Sequence, residues 1–193
     1  LARTPARLDP VPWREQVTIH EGGLGEPGVL REALHGVDVA YHLVHSMGDA
    51  TDFAQEERRT TQEFVTAAAE VGTGRIVHLS GLHPRDESDL SPHLRSRVEV
   101  GRLMVDGPVP ALVVQAGVVI GSGSASFEMI RHLTTRLPAM VTPKWVSNRI
   151  QPVAIRDVVH YLAAAATIEP VPNRTVDIGG PDVLTYAEMM QTY

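Results

Sequence analysis

The chain has 193 residues, 43% hydrophobic, 21% charged and 5% aromatic, with 17 Lys+Arg against 23 Asp+Glu and a net charge of −6, the composition of one globular domain rather than of a disordered segment. That negative balance opposes binding to phosphate backbones, so no nucleic-acid partner is expected, and the absence of cysteine excludes disulfides, thiolate nucleophiles and cysteine-ligated metal centres. No apolar run reaches the roughly 18 residues a membrane-crossing helix needs, and a soluble, cytoplasmic chain is expected.

In chain order, Val17-Thr18-Ile19-His20 reads as a short strand closed by Gly22-Gly23. Val29 to Leu34 is a short amphipathic helix ended by Gly36, and Val37 to Val44 is a buried strand followed by a Ser46-Met47-Gly48-Asp49 loop. Phe53, Thr60, Phe64, Ala67, Ala68 and Val71 recur at helical spacing, with Gly72 at the expected C-terminal cap. Arg75 to Gly81 and Ala111 to Gln115 are further apolar strands. Ser91-Pro92 makes a helix N-cap and first-turn pair between them. The stretch from Ser122 to Pro152 is the least regular, with Ser124 or Ser126 capping a helix from Phe127 to Leu137. Ile155, Val158, Val159, Leu162, Ala163 and Ala166 form another apolar stripe before Pro170, and Thr175 to Ile178 is a last strand running into Gly179-Gly180-Pro181. This alternation argues for a parallel sheet covered on both faces. Ligands of such sheets bind at the carboxyl ends of the strands, here the loops after Val44, Leu79 and Gln115.

The order of these pieces resembles the extended or atypical short-chain dehydrogenases/reductases. The residues that carry the likeness are Ser80-Gly81, then Ser96-Arg97-Val98-Glu99, then Gln115-Ala116-Gly117-Val118-Val119-Ile120-Gly121. Arg149-Ile150-Gln151-Pro152-Val153-Ala154-Ile155-Arg156-Asp157-Val158 and Asp177-Ile178-Gly179-Gly180-Pro181 continue it, and Ala40 to Met47 is similar to bacterial NmrA-like proteins and the group around the 39-kDa complex I subunit. The resemblance implies an α/β, doubly wound Rossmann-type sheet over residues 1–193, with a small C-terminal substrate lobe from 122–145 and 177–193. It also implies NAD or NADP, held by Arg3, Gly23, Leu24, Val44, His45, Ser46, Leu79, Ser80, Arg97, Ala116, Gly117 and Val118, with Arg3 placed to meet a 2′-phosphate. His83, Ser122, Phe127 and Met129 would line a substrate pocket. A small-molecule substrate or a regulatory partner is expected, and a homodimer is left open.

Three departures qualify the resemblance. The family's opening strand–Gly-x-x-Gly-x-x-Gly–helix is absent, which should leave a gap between Val17–His20 and Val37–Val44 where the first strand would run. The expectation is therefore that this sequence is part of a longer chain, or that the strand is supplied from elsewhere. The family's catalytic Tyr-x-x-x-Lys is replaced by His93 and Arg97, beside Ser80 at the family's serine position. Gly23 stands where relatives carry an Asp near the adenine. His93 is either a proton donor or an ordinary first-turn helix residue, and Ser80 either a site hydroxyl or a small strand-end residue. Arg97 either grips a ribose or phosphate, or pairs with Glu99 or Glu128 at the surface. The activity implied is NADPH-dependent reduction or isomerisation of a small carbonyl-type substrate; the alternative is a catalytically silent NAD(P) sensor or scaffold.

Two further readings weaken on inspection. His42, His45, His78, His83 and His93 cluster in sequence without a metal-binding spacing, so no metal site is expected. Gly121-Ser122-Gly123-Ser124 lacks the Gly-Lys-Ser/Thr of a nucleoside triphosphate loop. Met140 and Trp145 are candidates for a lid, an interaction surface or plain core.

Overall fold

The computed structural model describes residues 1–44, 53–84, 86–122, 127–128 and 144–192. In chain order the main elements are α1 (Pro27–Leu34), β1 (Val39–His42), α2 (Phe53–Glu70), β2 (Arg75–Gly81), α3 (Pro92–Val105), β3 (Ala111–Ala116) and β4 (Val119–Ile120). They continue with β5 (Arg149–Ile150), β6 (Val153–Ala154), α4 (Ile155–Ala165), β7 (Arg174–Ile178), β8 (Leu184–Thr185) and α5 (Tyr186–Thr192). The expected boundaries of the Val29 helix, the Val37 strand and the helix after Ile155 hold to within two residues, the ordinary uncertainty of element ends. The helix expected from Phe127 to Leu137, with its Ser124 and Ser126 caps, and Met140 lie outside the described residues.

The α/β architecture is a parallel sheet in the order β1–β2–β3–β7. Alternate residues face opposite layers. Ala40, Ile76, Ala111 and Val113 pack against Leu30, Leu34, Phe64, Ala67, Ala68, Val100 and Met104 from α1, α2 and α3. Val77, Leu112 and Val114 pack on the other side against Leu162 and Ala165 of α4. All of β3 is buried, as a strand paired on both edges and covered on both faces should be.

Local chemistry places the ends of these helices. Ser91 Oγ accepts the Leu94 N–H at 3.3 Å with Pro92 as the first helical residue, which satisfies a donor the helix itself cannot. Gly72 takes φ +76° while Thr73 N–H reaches the Ala68 carbonyl at 2.9 Å, closing α2. Arg75, at the start of β2, donates to the carbonyls of Ala165 and Ile168 and pairs with Glu169, so a cation meets the carbonyl end of α4. Asn173 bridges two elements: its Oδ1 accepts from Ala111 N–H and its Nδ2 donates to Val105 C=O, both at 3.0 Å.

One expected strand is not formed. Val17–His20 is irregular, and all that remains of its pairing is a parallel bridge between Ala2 and Glu21, with Ala2 N–H on His20 C=O at 2.9 Å and Gly22 N–H on Ala2 C=O at 3.1 Å. A strand is held by a ladder, and here a single residue supplies one edge.

Beyond β3 the chain is held by backbone packed against backbone. A Cβ on Gly117 would lie 2.5 Å from the Gln151 carbonyl oxygen, and one on Gly180 would strike the Pro152 carbonyl; Gly180 N–H donates to that same carbonyl at 2.8 Å. Gly117→Ala and Gly180→Ala should each destabilise the fold by about 1–3 kcal/mol, since backbone cannot move aside as a side chain can. Gly28→Ala, inside α1 with nothing within 4 Å, should stabilise by about 0.5 kcal/mol. Urea unfolding of the three variants checks both signs.

Candidate functional site

Between the Ala2–Glu21 bridge and β1 lies a trough of about 1070 Å³, where the sequence leads one to expect a gap. Its walls come from Leu1 and Arg3, from the Gly22–Gly25 turn, from Leu30 and Leu34 of α1, from Val39 through Val44, and from Phe53 and Phe64 of α2. Four expected cofactor contacts therefore meet in one place: Arg3, Gly23, Leu24 and Val44. The Arg3 side chain lies over Gly23, whose absent Cβ would sit 3.8 Å from Arg3 Cγ and Cδ. Gly23 N–H donates to Glu26 Oε1 at 2.7 Å. Glu26 is a carboxylate that sequence reasoning missed, and it stands three residues along from the position where an Asp was noted as lacking.

Of the residues read as catalytic, Ser80 follows a buried histidine pair in the sheet. His42 and His78, register partners in β1 and β2, are both buried, with their Nδ1 atoms 3.1 Å apart and His78 Nδ1 2.8 Å from the His42 carbonyl. The His42 ring also meets Phe64 edge-on at 5.0 Å. Two residues beyond His78 on the same face is Ser80, buried, with an Oγ that has no hydrogen-bond partner among the described residues. Burial, then the His78 ring and the Arg97 charge, press the His42 pKa down to about 3, so His42 is neutral near pH 7. Arg97 is thus electrostatically within reach of β1. Of the alternatives for Arg97, the pair with Glu99 is absent among the described residues, and Glu99 pairs instead with Arg58 of α2 at 3.1 Å. Ser96, buried beside it in sequence, donates to Glu57 Oε2 at 2.5 Å.

His93 is exposed and stacks on Phe53, with ring centroids 4.4 Å apart and planes 27° from parallel. Since Phe53 lines the trough, His93 stands next to it, and Phe53 is a site residue the sequence offered only as part of an apolar stripe. The remaining expected cofactor contacts are engaged in the fold. Leu79 packs with Val77, Val114, Val153 and Val158 on the α4 side; the Ala116 carbonyl accepts from Leu82 N–H at 2.8 Å and the Val118 carbonyl from Val153 N–H at 3.0 Å. His83 contacts the Pro84 carbonyl through Nδ1 at 2.9 Å. A recess of about 350 Å³ lies at the same strand ends, lined by Leu82, Gln151, Tyr161, Asp177, Ile178 and Gly179. Neither it nor the trough is lined by His83, Ser122 or Phe127. His45, Ser46 and Met129 lie outside the described residues. Trp145 is partly exposed and packs edge-on against Tyr186 at 5.3 Å. Among the described residues no group of three or more His, Asp and Glu could hold a metal ion, and no helix is long and apolar enough to cross a membrane.

This fold is that of the NAD(P)-binding extended short-chain dehydrogenases/reductases. A Citrobacter sp. triphenylmethane reductase complexed with NADP(H) is similar with a TM-score of 0.77 and 17% identity, over 98% of this chain and 63% of that one. The Bordetella bronchiseptica enzyme WbmG in complex with NAD is similar with a TM-score of 0.75 and 16% identity, over 95% and 63%. A double mutant of DesIV, a dTDP-glucose 4,6-dehydratase from Streptomyces venezuelae with NAD and DAU bound, has a TM-score of 0.72 and 19% identity, over 97% and 65%. The chain thus spans somewhat less than two thirds of the length of these structures. No protein-family model and no curated protein matches the sequence.

The buried His42 makes stability depend on pH. Its folded pKa of about 3 lies below the ordinary histidine value of 6.5, so the unfolded chain binds the extra proton between those values. Stability from this group is complete above pH 6.5 and is lost progressively as pH falls toward 3, by about 2 kcal/mol at pH 5. Urea unfolding at pH 7 and pH 5 should show that loss, and His42→Gln should remove it from the difference between the two.

Proposed function

We propose that the chain binds NAD or NADP with the adenosine end at the rim of the trough, and that it is an oxidoreductase-like protein acting on a small carbonyl-type substrate. The observation that carries this reading is the convergence of Arg3, Gly23, Leu24 and Val44, from segments far apart in sequence, on one trough in a fold whose solved examples include NAD and NADP(H) complexes. These residues fit an adenosine phosphate. The Gly22–Gly25 turn lines the trough without side chains of its own at three of its four positions, and Arg3, with no ion pair among the described residues, offers its guanidinium to a 2′-phosphate. That cation tilts the choice to NADP.

A bound nicotinamide would supply hydride; the chain's own groups do the rest. Ser80 Oγ, with no partner among the described residues, would donate to the substrate carbonyl oxygen. His93 would hold the proton passed to that oxygen, and Arg97 would anchor the ribose. Residues 122–145 and 177–193 would form the substrate side, with His83, Ser122 and Phe127 at its edge.

A second reading, nucleotide binding without turnover, is favoured by the stacking of His93 on Phe53 and by an arginine at position 97. Arginine is permanently charged, so it opposes the imidazolium that a proton-donating His93 must form. The protein would then act as an NAD(P) sensor or scaffold, presenting the surface near Trp145 to a regulatory partner.

Calorimetric titration should show NADPH binding more tightly than NADH, and Arg3→Ala should weaken NADPH by about tenfold while leaving NADH within about twofold, as expected for one phosphate contact. Equal affinities in both proteins would remove Arg3 from the site. His93→Ala should abolish carbonyl reduction with NADPH affinity unchanged; binding of NADPH with no turnover in either protein selects the silent reading.

A further inference from the structure

Strand register sets further polar side chains beside Ser80. Ile76, Ala111 and Val113 face the α2–α3 layer, so Ser80 in β2 and Gln115 in β3, an even number of residues further on, face it too. Ser80 is the register partner of Gln115, and Gln115 that of Asp177 in β7. Val176 and Ile178 pack on the α4 side, which turns Asp177 to the same layer as the other two. Three polar residues therefore stand in one row across the carboxyl end of the sheet. Neighbouring strands are about 4.8 Å apart, so Ser80 and Asp177 are separated by roughly 10 Å. Ser80 and Gln115 are 5% and 6% exposed, whereas Asp177, on the last strand in the order, is exposed. The row opens to solvent at its carboxylate end.

Arg97 stands over the other end. Gly101 of α3 rests on β3, where a Cβ added to it would meet Val113 Cγ1 at 3.5 Å. Because α3 joins two parallel strands it runs antiparallel to them, and one turn back from Gly101, about 6 Å, matches two residues onward from Val113. That step sets Arg97 above the Ser80–Gln115 pair. Its charge is felt at His42 in β1, so the guanidinium belongs to the β1 side of the row and not to the β7 side. Among the described residues the side chains of Ser80, Gln115, Arg97 and Asp177 form no hydrogen bond or ion pair. The carboxylates nearest in sequence to these helices are engaged elsewhere, Glu57 with Ser96 and Glu99 with Arg58. Ser80 Oγ is a buried polar atom of the kind that calls for a partner. From β2 to β7 the row thus offers a cation and a hydroxyl, then an amide, then a carboxylate.

We infer that this row is a substrate subsite which selects a small carbonyl compound carrying a primary amine at the end remote from the carbonyl. The inference rests on the reading that Ser80 meets the substrate carbonyl, and extends it to Gln115 and Asp177. The carbonyl oxygen accepts from Ser80 Oγ beneath Arg97. The amine, protonated near pH 7, lies two strands away against the Asp177 carboxylate, with Gln115 Oε1 as a second acceptor between the two ends. Charge fixes the direction of binding. An ammonium at the Ser80 end would meet the permanent charge of Arg97, and a carboxylate at the remote end would meet that of Asp177. Asp177 is therefore a specificity residue and takes no part in hydride or proton transfer.

The test reads binding and needs no turnover. Three benzyl alcohols, analogues of a reduced product, differ only in the remote group: 4-(aminomethyl)benzyl alcohol, 4-methylbenzyl alcohol and 4-(hydroxymethyl)phenylacetate. Each is titrated calorimetrically into the full chain, with and without NADPH, a pairing of alcohol and reduced cofactor that cannot react. The amine should bind about fivefold more tightly than the methyl compound, as one solvent-exposed ion pair allows, and the carboxylate more weakly than either. Asp177→Asn should bring the Kd of the amine to that of the methyl compound, and Ser80→Ala should weaken all three alcohols together. Equal Kd values for the three, no binding of any at millimolar concentration, or a preference for the amine that survives Asp177→Asn overturns the inference. Separate titration with NADPH keeps the two readings apart: NADPH binding without amine preference removes the subsite alone, and amine preference without NADPH binding supports the subsite and removes the cofactor.

Discussion

Parallel strands are stable only when their edges are bonded and their faces covered, and among the described residues β1 is bonded on one edge, to β2. Register with β2 fixes where Val39, Tyr41 and His42 point, and everything at the site follows from that register. It delivers His42 to His78, sets Val44 at the strand's far end, and leaves the outer edge of β1 open to the trough. A slip of one residue would send His42 to the α4 side and Tyr41 into the α2 layer. The Tyr41 hydroxyl, donating to the Leu162 carbonyl at 3.0 Å, ties the register to α4 as well.

The polar groups of the core are concentrated at one end of it. Along the sheet's α2–α3 face, Ala40 and Ile76 are followed by His42, His78 and Ser80, with Ser96 and Glu57 in the helices above. Buried polar atoms cost stability unless paired, so a run of them toward the carboxyl ends of the strands is a local violation of core chemistry of the kind that functional sites carry. The contrast with β3, buried along its whole length and apolar up to Gln115, shows that the fold did not require it.

Much of the architecture was legible because it rests on local rules. The alternation of β-branched runs with helical stripes identified the four parallel strands, and Gly72, Ser91 and Pro92 act at the caps where their chemistry belongs. The strand at Val17–His20 was misread because β propensity describes a residue's fit to a ladder, and its ladder is a single bridge. At the site, Arg3, Gly23, Leu24 and Val44 were recognisable through resemblance. Phe53 and Glu26 were not: a stacking aromatic in an apolar stripe and a carboxylate three residues from a glycine carry no signal until the chain is folded.

The sequence by itself determined the fold class and the parallel sense of the sheet, because these depend on periodicity, connection length and residue type. Tertiary structure alone decided that Glu99 pairs with Arg58, that His93 rests on Phe53, and that Arg3 lies over Gly23. Such facts depend on distances between segments remote along the chain, and those distances are set by how helices and strands pack, which no single segment encodes.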